Sequence, residues 1–319
     1  MNRETEKKIA SLRRTSNMLE AGLYILLYKP YFGLQEQNNI RYSSAGKRTY
    51  LDIIREKRTN GEKRPLFIYI HGGGWVSGLR QARRFYCKHW AKQGFVCANI
   101  DYDYANDAKH PEHIRQIFEG IGYVLEHAEE LGIDTKKVIV AGESAGGYFA
   151  ALVGAVATHR ALYDLLQIPF AYRDTFRVSA CIVMSGIFDP ARALDTHFKG
   201  MEQFNEAFCG MPAEVLKGQQ GQEMRHILAP SYYTDALFPP SFIIGAEKDL
   251  LLPESLALHK ELESAGVKNA LYVCGNPNSM HAGALACHLG TGKTAVQRAQ
   301  DFVGAVLAES TRQTAVQSQ

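Results

Sequence analysis

The chain has 319 residues, 46% hydrophobic and 22% charged, and carries a formal net charge of +3 from 36 basic and 33 acidic side chains. This is the balance of an ordinary globular protein, long enough for one large domain or a core with a small cap. So small and dispersed a positive excess excludes nucleic acid as the expected partner.

The first segment reads as an amphipathic packing helix, because Ile9, Leu12, Leu19, Leu23 and Leu26 recur near helical spacing. The apolar run 21–28 follows Glu4, Glu6 and Glu20 instead of a purely basic region, and no small-x-small cleavage site comes after it. It is also too short to span a bilayer, so a cytoplasmic location and no stable membrane span are expected. Next come Lys57, Arg58, Lys63 and Arg64 around Asn60-Gly61, a pattern that predicts a solvated hairpin turn.

From residue 48 onward, short β-branched or aromatic runs alternate with longer helical patterns. Strands are predicted at 50–54, 66–70, 95–100, 138–141, 178–184, 241–244 and 270–274. Helices are predicted at 81–92, 111–131, 145–158, 253–264 and 294–307; in the last, Val296, Ala299, Val303 and Val306 repeat at helical spacing. Such alternation gives the α/β class, a mainly parallel sheet covered on both faces. It lapses between Gly186 and Pro239, a stretch too long for a loop in a compact domain and therefore expected to be an inserted cap. The six cysteines (Cys87, Cys97, Cys181, Cys209, Cys274, Cys287) are scattered and form no C-x-x-C pair. Buried free thiols in a reducing compartment are expected, and no disulfide framework or zinc site.

The chemistry concentrates in four places. Gly142-Glu143-Ser144-Ala145-Gly146-Gly147 lies between a predicted strand and a predicted helix, the context of a nucleophile elbow that projects Ser144 above the sheet. His71-Gly72-Gly73-Gly74-Trp75 follows another strand directly. Three consecutive glycines suit a close backbone approach, so the N–H groups of Gly72 and Gly73, with that of Ala145, are the expected oxyanion hole. His71 is expected to be a hydrogen-bonded structural residue and Trp75 to pack beneath the loop. In this fold order the acid follows the serine and the base follows the acid, each after a strand. Asp249 and His281 satisfy both conditions. Glu247 and Asp189 are the alternative acids, His288 is the rival base, and His259 falls on a helix face. Gly290-Thr-Gly-Lys-Thr294 imitates a phosphate loop, but Cys287 stands where the first glycine is required and no strand leads in.

Together HGGGW, GESAGG, KDLLLPES and MHAG resemble the hormone-sensitive-lipase-like branch of the α/β-hydrolase esterases, in order and spacing over about residues 45–309. The resemblance implies an eight-stranded, mostly parallel sheet in a single domain over 1–319, with a helical cap from about 1–45 and 187–232. It implies hydrolysis of a small ester through an acyl-enzyme. No metal or organic cofactor is expected, and the partners are a small-molecule ester and at most a second copy in a homodimer. Small kynurenine formamidases look similar too, and formamide cleavage by the same residues stays open, as does a silent ligand-binding module. Where the family commonly has a tyrosine–arginine pair, this chain reads Asp101-Tyr102-Asp103-Tyr104. The aromatics Tyr24, Tyr28, Tyr31, Phe32, Phe198, Phe204 and Phe208 are expected to wall an apolar pocket beneath the cap.

Overall fold

The computed structural model describes residues 3–27, 29–57 and 61–317. Eight strands build one sheet: β1 (Leu34–Arg41), β2 (Tyr50–Glu56), β3 (Arg64–Ile70), β4 (Val96–Ile100), β5 (Ile133–Glu143), β6 (Ala180–Met184), β7 (Ser241–Ala246) and β8 (Asn269–Cys274). Their order is β1-β2-β4-β3-β5-β6-β7-β8; β2 is antiparallel to both neighbours and every pairing from β4 to β8 is parallel.

The helices that accompany the sheet are α1 (Arg3–Leu27), α2 (Arg84–Ala91), α3 (Glu112–Glu126), α4 (Ala145–Thr158), α5 (Leu252–Ser264) and α6 (Gly290–Gln317). The period of two along a strand divides the interior into two cores. Leu66, Ile68 and Ile70 of β3 pack with Ile117 and Ile121 of α3, Phe149 and Leu152 of α4 and Leu258 of α5. Phe67 and Tyr69, pointing the other way, pack with Phe85 and Trp90 of α2 and Val296, Ala299 and Val303 of α6. Central strands buried on both faces explain the near-continuous apolar runs. This is the α/β-hydrolase arrangement.

The polypeptide departs from expectation in two places. β1 carries no periodic signal: its sequence LQEQNNIR is that of a solvated edge, with a single buried residue, Leu34. It pairs with β2 through Leu34–Glu56 and Arg41–Tyr50, so 34–41 belongs to the sheet and not to the cap expected over about 1–45. The basic stretch after β2 is no hairpin, because β4 lies between β2 and β3 and the chain must cross over it. Arg58 and Asn60 themselves lie outside the described residues, as do Tyr28 and the side chains of Leu19, Leu23, Tyr24 and Leu26. Between β6 and β7 the chain forms a series of short helices, the longest being Met201–Cys209. Among the described residues no helix is long and apolar enough to cross a membrane.

Candidate active site

The strand order brings the chemistry to one edge. β3, β5, β6, β7 and β8 are successive parallel neighbours, so the loops after them emerge side by side. Ile70 is level with Gly142, which sets the glycine loop after β3 against the turn after β5. At that turn Ser144 has φ 54° and ψ −122°, left-handed for a residue with a side chain, and its N–H donates to the Met184 carbonyl at 2.8 Å. Strain of this kind persists only where the surroundings enforce it. Gly146 is part of that enforcement: a Cβ there would collide with the carbonyl oxygen of Ile70. α4 starts directly afterwards at Ala145, so its first N–H groups have no intrahelical acceptor.

Asp249 follows β7 and His281 follows β8. The His281 Nδ1–H donates to both Asp249 oxygens at 3.0 Å. Burial works against the charge on Asp249, but the hydrogen bonds from His281, Ser185 and the Leu251 N–H hold its carboxyl below the usual range. Ser144 and His281 line one cavity of about 700 Å³. Among the described residues the Ser144 hydroxyl makes no hydrogen bond, leaving it open to that space; such contacts commonly close only with substrate.

The alternative residues are otherwise engaged. Glu247 is exposed. Asp189 caps a short helix by accepting the Ala191 and Arg192 N–H groups and pairs with Arg225 at 2.7 Å. His259 contacts Asn269. His288 is lowered by burial and by Lys29, and does not line the cavity. His71 is fully buried, lies 3.0 Å from Asp101 and 2.8 Å from the Gly72 carbonyl, and stacks on Tyr102. Trp75 packs beneath the loop on Phe208, ring centroids 4.4 Å apart.

The expected oxyanion donors need one correction. The Gly72 N–H is engaged by the Glu143 carboxylate at 2.7 Å and cannot also face a substrate. Among the described residues the N–H groups of Gly73, Gly74 and Ala145 have no acceptor. Gly73 (φ 123°) must be glycine, since a Cβ would strike the Ser77 carbonyl. Sequence reasoning passed over Glu143 as the variable residue of the elbow. Its carboxylate also takes the Arg83 Nε–H at 2.6 Å and the Tyr69 hydroxyl at 2.5 Å. Only its place beside Ser144 could have drawn attention to it.

Of the seven aromatics expected at the pocket, Phe198 and Phe204 line it, with Phe198 lying 4.9 Å from the His281 ring between centroids. Phe208 is buried against Trp75, Tyr31 sits against His89, and Phe32 is 82% exposed. Leu12, Ile187, Met201, Met280 and Leu285 complete an apolar wall.

Sheet order, elbow and cavity together define an α/β-hydrolase. The BD-FAE family model matches residues 51–262, and the chain belongs to that family. It is 28% identical over 275 residues to Esterase LipQ of Mycobacterium tuberculosis, covering 85% of this chain and 62% of that protein. To Hormone-sensitive lipase of Mus musculus it is 34% identical over 85 residues, covering 26% of this chain and 11% of the lipase. The chain thus spans about three fifths or less of the length of these curated relatives. The crystal structure of Esterase B from Lactobacillus Rhamnosis superposes with a TM-score of 0.82 at 20% identity, over 99% of both chains. That likeness is one of fold.

Proposed function

We propose that the protein is a serine carboxylic-ester hydrolase acting on small, short-chain or aromatic esters through an acyl-enzyme. One observation carries the reading: a serine on a strained elbow opens into the same cavity as a histidine held by a buried carboxylate. Ser144 attacks the ester carbonyl while His281 takes its proton. Asp249 fixes the imidazole tautomer and stabilises the imidazolium. The oxygen that gains charge is received by the N–H groups of Gly73, Gly74 and Ala145, each contributing on the order of 3 kcal/mol to the transition state. His281 returns the proton to the departing alcohol, and water repeats the sequence on the acyl-enzyme.

Esterase names among the relatives support the same reading. We read α1 and residues 187–232 as the cap, since both contribute to the cavity wall around Ser144. A cytoplasmic location accords with six free cysteines, five of them buried.

The test is hydrolysis of p-nitrophenyl esters from acetate to laurate by the wild type and Ser144→Ala, with N-formylkynurenine alongside. Turnover of short esters that disappears in Ser144→Ala is expected. Formamide turnover well above ester turnover would move the assignment to an amidase, and folded protein silent on both would overturn it.

A further inference from the structure

The loop that follows the glycines is held by the N-terminal helix through consecutive contacts. Arg13 Nε–H donates to the Val76 carbonyl at 2.6 Å, and the Ser16 and Ser77 hydroxyl oxygens lie within hydrogen-bond distance at 3.2 Å. The Gly78 N–H donates to Asn17 Oδ1 at 3.2 Å, and the Leu79 N–H to Glu20 Oε2 at 2.8 Å. Positions 13, 16, 17 and 20 follow the i, i+3, i+4, i+7 rule, so one polar stripe of α1 meets four successive loop residues. The same loop is folded back on the glycines: Gly73 O accepts the Val76 N–H at 3.2 Å, the Ser77 N–H at 3.0 Å and the Ser77 hydroxyl at 2.7 Å.

A second route runs through charge. Glu20 Oε2 also accepts from Arg83 Nη1 at 3.3 Å, and Arg83 Nε–H reaches Glu143, which holds the Gly72 N–H. Burial alone would lower the Arg83 guanidinium; Glu143 and Glu20 instead hold it above its ordinary value. Both routes lead from α1 to the glycine loop, one through residues 76–79 folded back on Gly73 and one to Gly72, the residue before the candidate donor Gly73.

We propose that α1 is a positioning element for the oxyanion loop, with Glu20 as its principal contact, so that transition-state stabilisation depends on the seating of the N-terminal helix. The proposal rests on the ester-hydrolase reading for its kinetic readout. Displacing backbone donors by a fraction of an ångström weakens their hold on the developing charge more than it weakens substrate binding, so kcat carries the effect.

In Glu20→Ala, kcat should fall about tenfold or more on every ester of the series, with KM within about twofold. Affinity for an alkyl trifluoromethyl ketone, which forms a tetrahedral adduct, should weaken by the same factor as kcat/KM. Glu20→Gln keeps an acceptor for the Leu79 N–H and should recover most of kcat; Asn17→Ala gives a second reading if Glu20→Ala folds poorly. An unchanged kcat, or a rise in KM alone with ketone affinity intact, would make α1 a mere cover and overturn the proposal. A wild type inactive on all esters would count against the hydrolase reading only. The clamp is then judged by hydrogen exchange of the 72–79 peptide, which Glu20→Ala should accelerate; exchange at the wild-type rate would overturn it.

Discussion

His113 on α3 is fully buried, and among the described residues neither ring nitrogen has a hydrogen-bond partner. Its neighbours are the rings of Phe208, Phe149 and Tyr102, at centroid separations of 5.3, 6.0 and 6.2 Å. Burial, aided by His110 and Lys109, pushes its pKa down to about 3. Burial likewise brings His110 down to about 4, although its contact with the Ile227 carbonyl opposes this. Both therefore stay neutral in the folded chain at mildly acid pH, whereas in the unfolded chain they take up protons below 6.5. The unfolded state binds more protons there, so stability falls as pH drops below that value and levels off only at the folded pKa values. At pH 5 the gap of about 1.5 units amounts to about 2 kcal/mol for each histidine, about 4 kcal/mol together. Against a usual reserve of roughly 5–15 kcal/mol this is a large loss. Urea denaturation at pH 7.5 and pH 5.0 measures it. His113→Leu, which keeps the volume and removes the titration, should lose about 2 kcal/mol less than wild type over that interval. An equal loss in variant and wild type would refute the reasoning.

Two further outcomes follow from the site. Asp249→Asn keeps the shape but favours the wrong imidazole tautomer, so kcat should drop by about 10⁴ with little change in the thermal midpoint; activity within tenfold of wild type would assign the acid elsewhere. Gly146→Ala drives a methyl into the Ile70 carbonyl, which should destabilise the fold by roughly 1–3 kcal/mol and abolish ester turnover; an active, fully stable variant would show that the elbow is looser than described.

The sequence was most legible where local chemistry and periodicity agree. β3 through β7 announce themselves as apolar runs because both faces are buried, and the elbow because only glycine fits beside Ile70. β1 was invisible because an edge strand with one buried residue needs no apolar pattern. The basic stretch at 57–64 misled because a turn dipeptide says nothing about which strands it joins. Asp249 and His281 could be ranked from strand order alone. Glu143 could not, since its three partners, Tyr69, Gly72 and Arg83, lie far from it in sequence and meet only in the fold. The polar stripe of α1 was hidden similarly: a search for apolar spacing finds Ile9 and Leu12 and passes over Arg13, Ser16, Asn17 and Glu20. Gly72 was misassigned because sequence gives the glycines of the loop equal standing, and only the neighbouring carboxylate distinguishes them.

Covalent labelling by an alkyl phosphonate ester, followed by intact-mass and peptide mapping, tests the central claim most directly. One adduct per chain, located on Ser144 and appearing in step with the loss of ester hydrolysis, is the predicted result. Ester hydrolysis that persists after Ser144 is fully modified, or an adduct that forms on another residue as activity is lost, would contradict it.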